Sequence, residues 1–428
     1  MKILSITAGA AGMYCGSCFR DNALAAELMS RGHEVILLPL YTPTRTDEPN
    51  VSHHHIFFGG ISVYFEQNWS LFRKTPRLLD RLWDSTALLK LISRVAIRTN
   101  PRQLGELTVS MLRGDKGYQH KEIRKLIDWL QGQPLPDVVN LPNSLLIGLA
   151  RPLREALDRP VCCTLQGEDL FLEGLHPTYR DRALELIRAN TTFVDVFTPV
   201  SHFYAEFMSS YLQVPDEKMA VVPLGINLEG YQPKNDYPND TFTIGYFARV
   251  APEKGLHLLC EAYRLVRGRT QSLKGQLRVA GYLGREHRPY LSEIKKKMEA
   301  WGLAGEFSYL GVVDRNEKIR FLQSLDVLSV PATYNEPKGM FLLESMANGT
   351  PVVQPRRGAF TEIIETTGGG LLVEPDNPEA LAKAIRDLWN DRSLARELGL
   401  RGAIGVRRHY SVKRMADETL RVYEGLVG

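Results

Sequence analysis

The amino-acid sequence predicts an α/β protein of two doubly wound parallel-sheet domains that face each other across a cleft. Three observations carry this. Short apolar runs alternate with stretches of helical length from residue 2 onward, the alternation pauses at the polar, proline-containing segment Glu229–Asp240, and it then restarts. A β-α-β rhythm builds a parallel sheet with helices on both faces. At 428 residues the chain is long enough for two such domains of about 200 residues each.

In the first half, Lys2–Thr7 reads as a buried strand, Ser17–Ser30 as a helix and Glu34–Leu40 as a second strand. The apolar start breaks at once into Gly and Ala, which suits a strand better than a secretory signal. Residues 41–75 are the least regular. Asp137–Leu141, a helix near Leu145–Ala156 and Pro160–Leu165 follow, then Phe193–Val200, a helix Phe203–Leu212 and a strand Met219–Val222. These elements predict a first domain over residues 1–235, with Glu229–Asp240 as the linker. Thr243–Ala248, Gln276–Ala280, Phe307–Leu310, Val327–Val330, Pro351–Gln354 and Leu371–Val373 read as strands of a second domain over 236–409. A last helix runs from Val412 to about Leu426.

Composition narrows the function classes. Apolar residues at 44% and charged residues at 24% are ordinary for a soluble globular chain, and no apolar run reaches membrane-spanning length. Five scattered cysteines make no disulfide framework, so a reducing cytoplasm is the expected compartment. A net charge of +4 does not point to nucleic acid. The charge is uneven, however: residues 71–125 hold 13 Lys or Arg against 5 Asp or Glu. Lys90, Arg94 and Arg98 recur beside Leu88, Leu91, Ile92 and Val95, which makes one basic and one apolar stripe on a helix. Two readings stand, a core helix with a solvated back and a surface that touches anionic lipid or an anionic acceptor at the inner face of the membrane.

In doubly wound sheets ligands bind in the turns that follow the strands. The turn after Val327–Val330 carries Glu336, Gly339, Met340, Phe341 and Glu344 and enters a helix. Free N–H groups at a helix start hold phosphate oxygens, and Gly lets a ligand approach the backbone. Carboxylates on either side would accept sugar hydroxyls. The plainer alternative is one capping and one solvated glutamate. The turn after Thr243–Ala248 carries Arg249 and Lys254, two cations able to neutralise a departing phosphate, or else an ordinary surface pair. Cys15-Gly16-Ser17-Cys18 has redox spacing, but its frame fits a ligand loop. Cys162 and Cys163 read as core, and His53-His54-His55 as a solvated loop or acceptor wall rather than a metal site. Trp69, Phe72 and Trp83 read mostly as packing residues.

Taken together these motifs resemble the retaining glycosyltransferase family 4, of the GT-B fold with its two Rossmann-like domains. The resemblance rests on the E-x7-E spacing of Glu336 and Glu344, followed by Met346-Ala347-Asn348-Gly349-Thr350-Pro351-Val352-Val353. At the front it rests on Gly16, Leu24-Ala25 and Arg31-Gly32-His33-Glu34-Val35. Pro223-Leu224-Gly225-Ile226-Asn227 is similar to the interdomain motif, and Gly358-Ala359-Phe360-Thr361-Glu362 to the GG-x-x-E turn. The resemblance implies that the C-terminal stretch 410–428 packs back on the first domain. It implies that Glu336 contacts the transferred sugar and Glu344 the ribose. Arg249, Lys254 and the amides near Gly339, Met340 and Phe341 would hold the diphosphate, and Gly16 would let the first-domain loop approach phosphate or acceptor. Two departures stand out: Lys338-Gly339 replaces Phe-Gly, and Gln166 in Gln166-Gly167-Glu168-Asp169 replaces a His that commonly faces the donor sugar.

The implied reaction is metal-independent hexosyl transfer with retention, from a nucleotide-diphosphate sugar to a hydroxyl of a sugar, polyol or lipid-linked glycan. A UDP-sugar is the expected donor, as substrate rather than cofactor, although the residues leave the base open. No Asp-x-Asp occurs in the chain, so a divalent ion bound through that motif is not indicated. A nucleotide-sugar epimerase of the same architecture and a non-catalytic sugar-nucleotide binder remain as alternatives. A dinucleotide oxidoreductase does not fit, since no acid ends the second strand before Asp47.

Overall fold

The computed structural model describes residues 1–9, 15–58, 101–234, 241–268 and 274–428. The chain folds into two units, Met1–Pro223 with Ala416–Gly428, and Leu224–Met415.

The first unit is built on five parallel strands, β1 (Lys2–Thr7), β2 (Glu34–Pro39), β3 (Val138–Leu141), β4 (Val161–Leu165) and β5 (Val196–Pro199), in the order β2-β1-β3-β4-β5. Their near-continuous apolar sequences follow from burial on both faces, as in Val161–Leu165, where every residue is buried. One polar rung crosses this interior: Thr164 Oγ1 donates to Asn140 Oδ1 at 3.2 Å and meets Thr198 Oγ1 at 3.1 Å, so no hydroxyl is left unsatisfied. The helix Gly16–Ser30 follows β1, and the helix His202–Leu212 starts on Ser201, whose hydroxyl accepts from Tyr204 N. Cys162 and Cys163 are core residues. The run Met219–Val222 makes a single bridge to Phe197 instead of the predicted strand.

The second unit has six parallel strands, β6 (Thr241–Phe247), β7 (Lys274–Ala280), β8 (Phe307–Tyr309), β9 (Val327–Leu328), β10 (Val352–Pro355) and β11 (Gly370–Val373), ordered β11-β10-β9-β6-β7-β8. The order runs outward from β6 through β7 and β8, then restarts beside β6 with β9. That reversal is a topological switch point, where the turns leaving two neighbouring strands diverge and open a crevice. In the first sheet the switch lies between β1 and β3.

The chain crosses between the units at Pro223–Leu224, ahead of the boundary expected at 235. Residues of the predicted linker explain the difference: Tyr231 is buried in the core of the second unit, which a solvated linker would not allow. The last helix, Val412–Val427, begins in the second unit, where Val412 N donates to Ile226 O, and its residues from Ala416 onward belong to the first. There Tyr423 is buried and Asp417 pairs with Arg31 at 2.5 Å. Among the described residues no helix is long and apolar enough to cross a membrane. The basic stripe Lys90, Arg94 and Arg98, together with Trp69, Phe72 and Trp83, lies outside the described residues.

Trp389 closes the second core by stacking on Phe242 of β6, with ring centroids 4.6 Å apart and planes 8° from parallel. Trp389→Ala should therefore lower the stability of this unit by about 3–5 kcal/mol in urea denaturation. A loss under about 1 kcal/mol would show that the ring does not fill this space.

Candidate active site

The turns leaving β6 and β9 meet at the switch point of the second sheet. Gly255, in the left-handed region at φ +73°, lets the first turn lie against the second: a side chain there would place its Cβ 1.9 Å from Pro331 O. This close approach delivers Lys254 to Glu336. The two form a half-buried ion pair, and Lys254 Nζ also lies 2.6 Å from Tyr334 Oη. Tyr334 in turn donates to the same carboxylate oxygen of Glu336. The other oxygen faces the N–H groups of Lys338 and Gly339 at 3.4 and 3.5 Å. Gly358 braces the arrangement from behind, since a Cβ on it would sit 2.5 Å from Glu336 O, while Ala359 N donates to that carbonyl.

Burial opposes the charge on Glu336. The Lys254 ammonium, the hydrogen bonds from Lys254 and Tyr334 and the charge of Lys338 outweigh it and bring the carboxyl down to about 2. Tyr334 moves the other way: burial and the adjacent carboxylate push its hydroxyl well up, so it stays a donor.

Met340 and Phe341 head the helix Met340–Ala347, whose first turn leaves backbone donors without helical acceptors. Lys254 Nζ lies 5.8 Å from the Phe341 ring centroid. Glu344, further along this helix, is buried, and its Oε1 accepts from Lys318 Nζ at 2.5 Å and from Tyr231 Oη at 3.2 Å. Arg249 stands on the same turn as Lys254, but it is partly exposed and pairs with Glu253 at 2.5 Å. Thus Lys254, Glu336, Gly339, Met340 and Phe341 come together, Glu344 lies deeper with its own cation, and Arg249 sits at the rim. Sequence reasoning missed Tyr334, Lys318 and Tyr231. A tyrosine two residues before Glu336 was the one local signal available.

Gly16 and Gln166 belong to the first unit. Gly16 opens the helix after β1. Gln166 follows β4, is buried, and donates from Nε2 to Pro142 O at 2.8 Å. Its Oε1 has no partner among the described residues. Turning the amide over would set two carbonyl oxygens against each other, so the free acceptor is the amide oxygen. Next to it Glu168 takes Ser144 N, Ser144 Oγ and Gln166 N at 2.8–3.0 Å. Burial raises its pKa in spite of these donors.

Other sequence candidates resolve simply. Cys18 is buried, and a hydrogen bond with Cys15 together with burial pushes its thiol well up, against the low pKa that a redox pair needs. His53, His54 and His55 lie on an exposed loop, where His55 stacks on Trp129 at 5.9 Å. No metal-ligating cluster occurs among the described residues.

Fold and site together define a two-unit α/β protein with a cluster of charged side chains at the switch point of its second sheet. Two family models match the chain, "Glycosyl transferase 4-like domain" over residues 22–225 and "Glycosyl transferases group 1" over 229–403. An uncharacterized glycosyltransferase of Methanocaldococcus jannaschii is 27% identical over 237 residues, 53% of this chain and 58% of that protein. A lipopolysaccharide core biosynthesis mannosyltransferase of Rhizobium leguminosarum is 29% identical over 227 residues, 51% of this chain and 62% of that one. A phosphatidyl-myo-inositol mannosyltransferase of Mycobacterium tuberculosis is 29% identical over 216 residues, 48% and 54% of the two chains. The matches therefore span only about half of the length of these relatives. Among solved structures, sucrose-phosphate synthase from Thermosynechococcus elongatus superposes with a TM-score of 0.72 at 18% identity, covering 100% of this chain and 99% of that one. The Anabaena HepE protein in complex with UDP gives 0.68 at 17% identity over 100% of both chains. The chain belongs to the GT-B glycosyltransferases of the family 4 type.

The depressed pKa of Glu336 has a measurable consequence. Its folded value of about 2 lies below the ordinary 4.5, so the ionised pair contributes stability that is complete above about pH 4.5 and lost as the pH falls toward 2. In Glu336→Gln the acid limb of the melting-temperature profile should be shallower than in the wild-type chain over that window. Superimposable limbs would show that the carboxyl titrates in the ordinary range.

Proposed function

We propose that the protein is a retaining glycosyltransferase that moves a hexose from a nucleotide-diphosphate sugar, expected to be a UDP-sugar, to an acceptor hydroxyl. The observation that carries this reading is the cluster of Lys254 and Tyr334 on the buried Glu336, set beside the first turn of the helix Met340–Ala347. A cation and unpaired amides suit a diphosphate, and an ionised carboxylate beside them suits the hydroxyls of the sugar it carries. The mannosyltransferases among the relatives act in the same chemical class by name.

In this reading Lys254 and the N–H groups of Met340 and Phe341 take up charge on the departing phosphate, with Arg249 at the rim. Glu336 holds the transferred sugar by its hydroxyls. With its carboxyl depressed to about 2, it stays ionised at neutral pH and acts as an acceptor, not as a general acid. The proton of the acceptor hydroxyl passes to the leaving phosphate oxygen in a same-face substitution, which retains configuration.

A thermal-shift screen of UDP-, GDP- and ADP-sugars, followed by acceptor trials with the best donor, tests the assignment. Sugar transfer should require an acceptor, and Glu336→Gln and Lys254→Ala should each lower kcat by roughly 100-fold or more, with the fold intact by circular dichroism. Epimerised donor without acceptor would identify an isomerase. Donor binding without turnover would leave a binding protein, and full activity in Glu336→Gln would remove this site from the reaction.

A further inference from the structure

The second glutamate of the pair carries its own counter-ion, and nothing in the reading above requires one. Lys318, on the helix Arg315–Gln323, is only 3% exposed, and its ammonium lies 2.5 Å from Glu344 Oε1. Tyr231 donates to the same oxygen at 3.2 Å. Among the described residues no hydrogen bond reaches the second oxygen, Oε2. Tyr231 is held in turn from the same helix: Arg315 lies 5.3 Å and Lys318 Nζ 5.9 Å from its ring centroid. Arg315 also donates to the carbonyls of Asn227 and Glu229 at 3.2 and 2.8 Å, which fastens the segment that bears Tyr231.

A lysine is an expensive residue at this inward position, where its helix neighbours Phe321 and Leu322 are apolar core. An apolar side chain of similar volume would stabilise the fold as well or better than a buried ion pair. The pair is therefore better explained by what it does to Glu344 than by stability. With two donors on Oε1, the carboxylate is kept in one orientation, and Oε2 is left as an acceptor of defined direction.

We propose that Lys318 and Tyr231 are positioning residues that fix Glu344 for one ligand chemistry, the vicinal hydroxyls of the nucleotide ribose. This rests on the reading of Glu344 as the ribose-side carboxylate. Ribose recognition then depends on a lysine 26 residues upstream and a tyrosine 113 residues upstream of the glutamate that makes the contact.

The test uses the full chain and isothermal titration with nucleoside diphosphates, so that neither sugar nor acceptor need be known. UDP, GDP and ADP are compared with their 2′-deoxy and 3′-deoxy forms, on the wild type and on Lys318→Met, Lys318→Arg and Tyr231→Phe. In the wild type, removing a ribose hydroxyl should weaken binding by about 10-fold or more, the worth of a hydrogen bond to a charged acceptor. In Lys318→Met and Tyr231→Phe that penalty should shrink toward unity, while Lys318→Arg should keep part of it. A general loss of packing would weaken both forms equally and leave the ratio unchanged. A ratio preserved in both Lys318→Met and Tyr231→Phe overturns the inference and leaves the site reading standing. If Lys318→Met does not fold, the ratio in Tyr231→Phe decides alone. A wild type that binds a ribonucleotide and its deoxy forms equally would remove Glu344 from the ribose, and both conclusions would fall.

Discussion

The candidate site depends on keeping one carboxylate ionised inside the second unit. Glu336 is 4% exposed, and a charge so far from water survives only with a counter-charge and hydrogen bonds on both oxygens. Lys254, Tyr334 and the amides of Lys338 and Gly339 supply them. Much around them serves to keep that contact close. The missing side chain of Gly255 lets the β6 turn reach the β9 turn, and that of Gly358 lets the next loop press against the Glu336 backbone. The strand order matters as well. Only at the reversal between β9 and β6 do turns separated by 82 residues of sequence emerge as neighbours.

The same helix serves two carboxylates in different ways. Glu336 lies before its start, where the free N–H groups and the dipole favour negative charge. Glu344 lies within it and takes its cation, Lys318, from another helix. The sequence spacing that makes the pair recognisable thus hides a physical difference between its members: Glu336 pairs with Lys254 from the β6 turn, and Glu344 with Lys318 from a second helix.

That difference also marks what could be read from the sequence. Strands with largely apolar runs, such as Glu34–Leu40 and Pro160–Leu165, were legible because a sheet covered on both faces demands them. Lys254, Glu336 and Gly339 were legible because each sits in a turn after a strand. Met219–Val222 has the composition of a strand, yet it meets β5 only through a bridge to Phe197 and two backbone hydrogen bonds, to Phe197 O and Pro199 O, short of a regular ladder. Tyr231 was hidden in a segment whose prolines and polar residues read as linker, although its ring is core. Lys318 carries no local signal at all. Its role is set by a partner on another helix, and a lysine on an amphipathic helix ordinarily faces water.

The first unit has its own switch point, between β1 and β3, and a different chemistry one strand further along. Around the ends of β3 and β4 lie the side-chain oxygens of Asn143 and Gln166, both buried and without partners among the described residues. Beside them Glu168 spends its lone pairs on Ser144 and Gln166, with its pKa raised by burial. Neutral amide oxygens in such a place accept from hydroxyl groups and offer nothing to a phosphate. The second unit has the reverse, a lysine and free amides that suit an anion. One kind of sheet, used twice, therefore carries two side-chain chemistries: a lysine–carboxylate pair beside a helix start follows the strands of the second unit, and neutral amide oxygens follow those of the first.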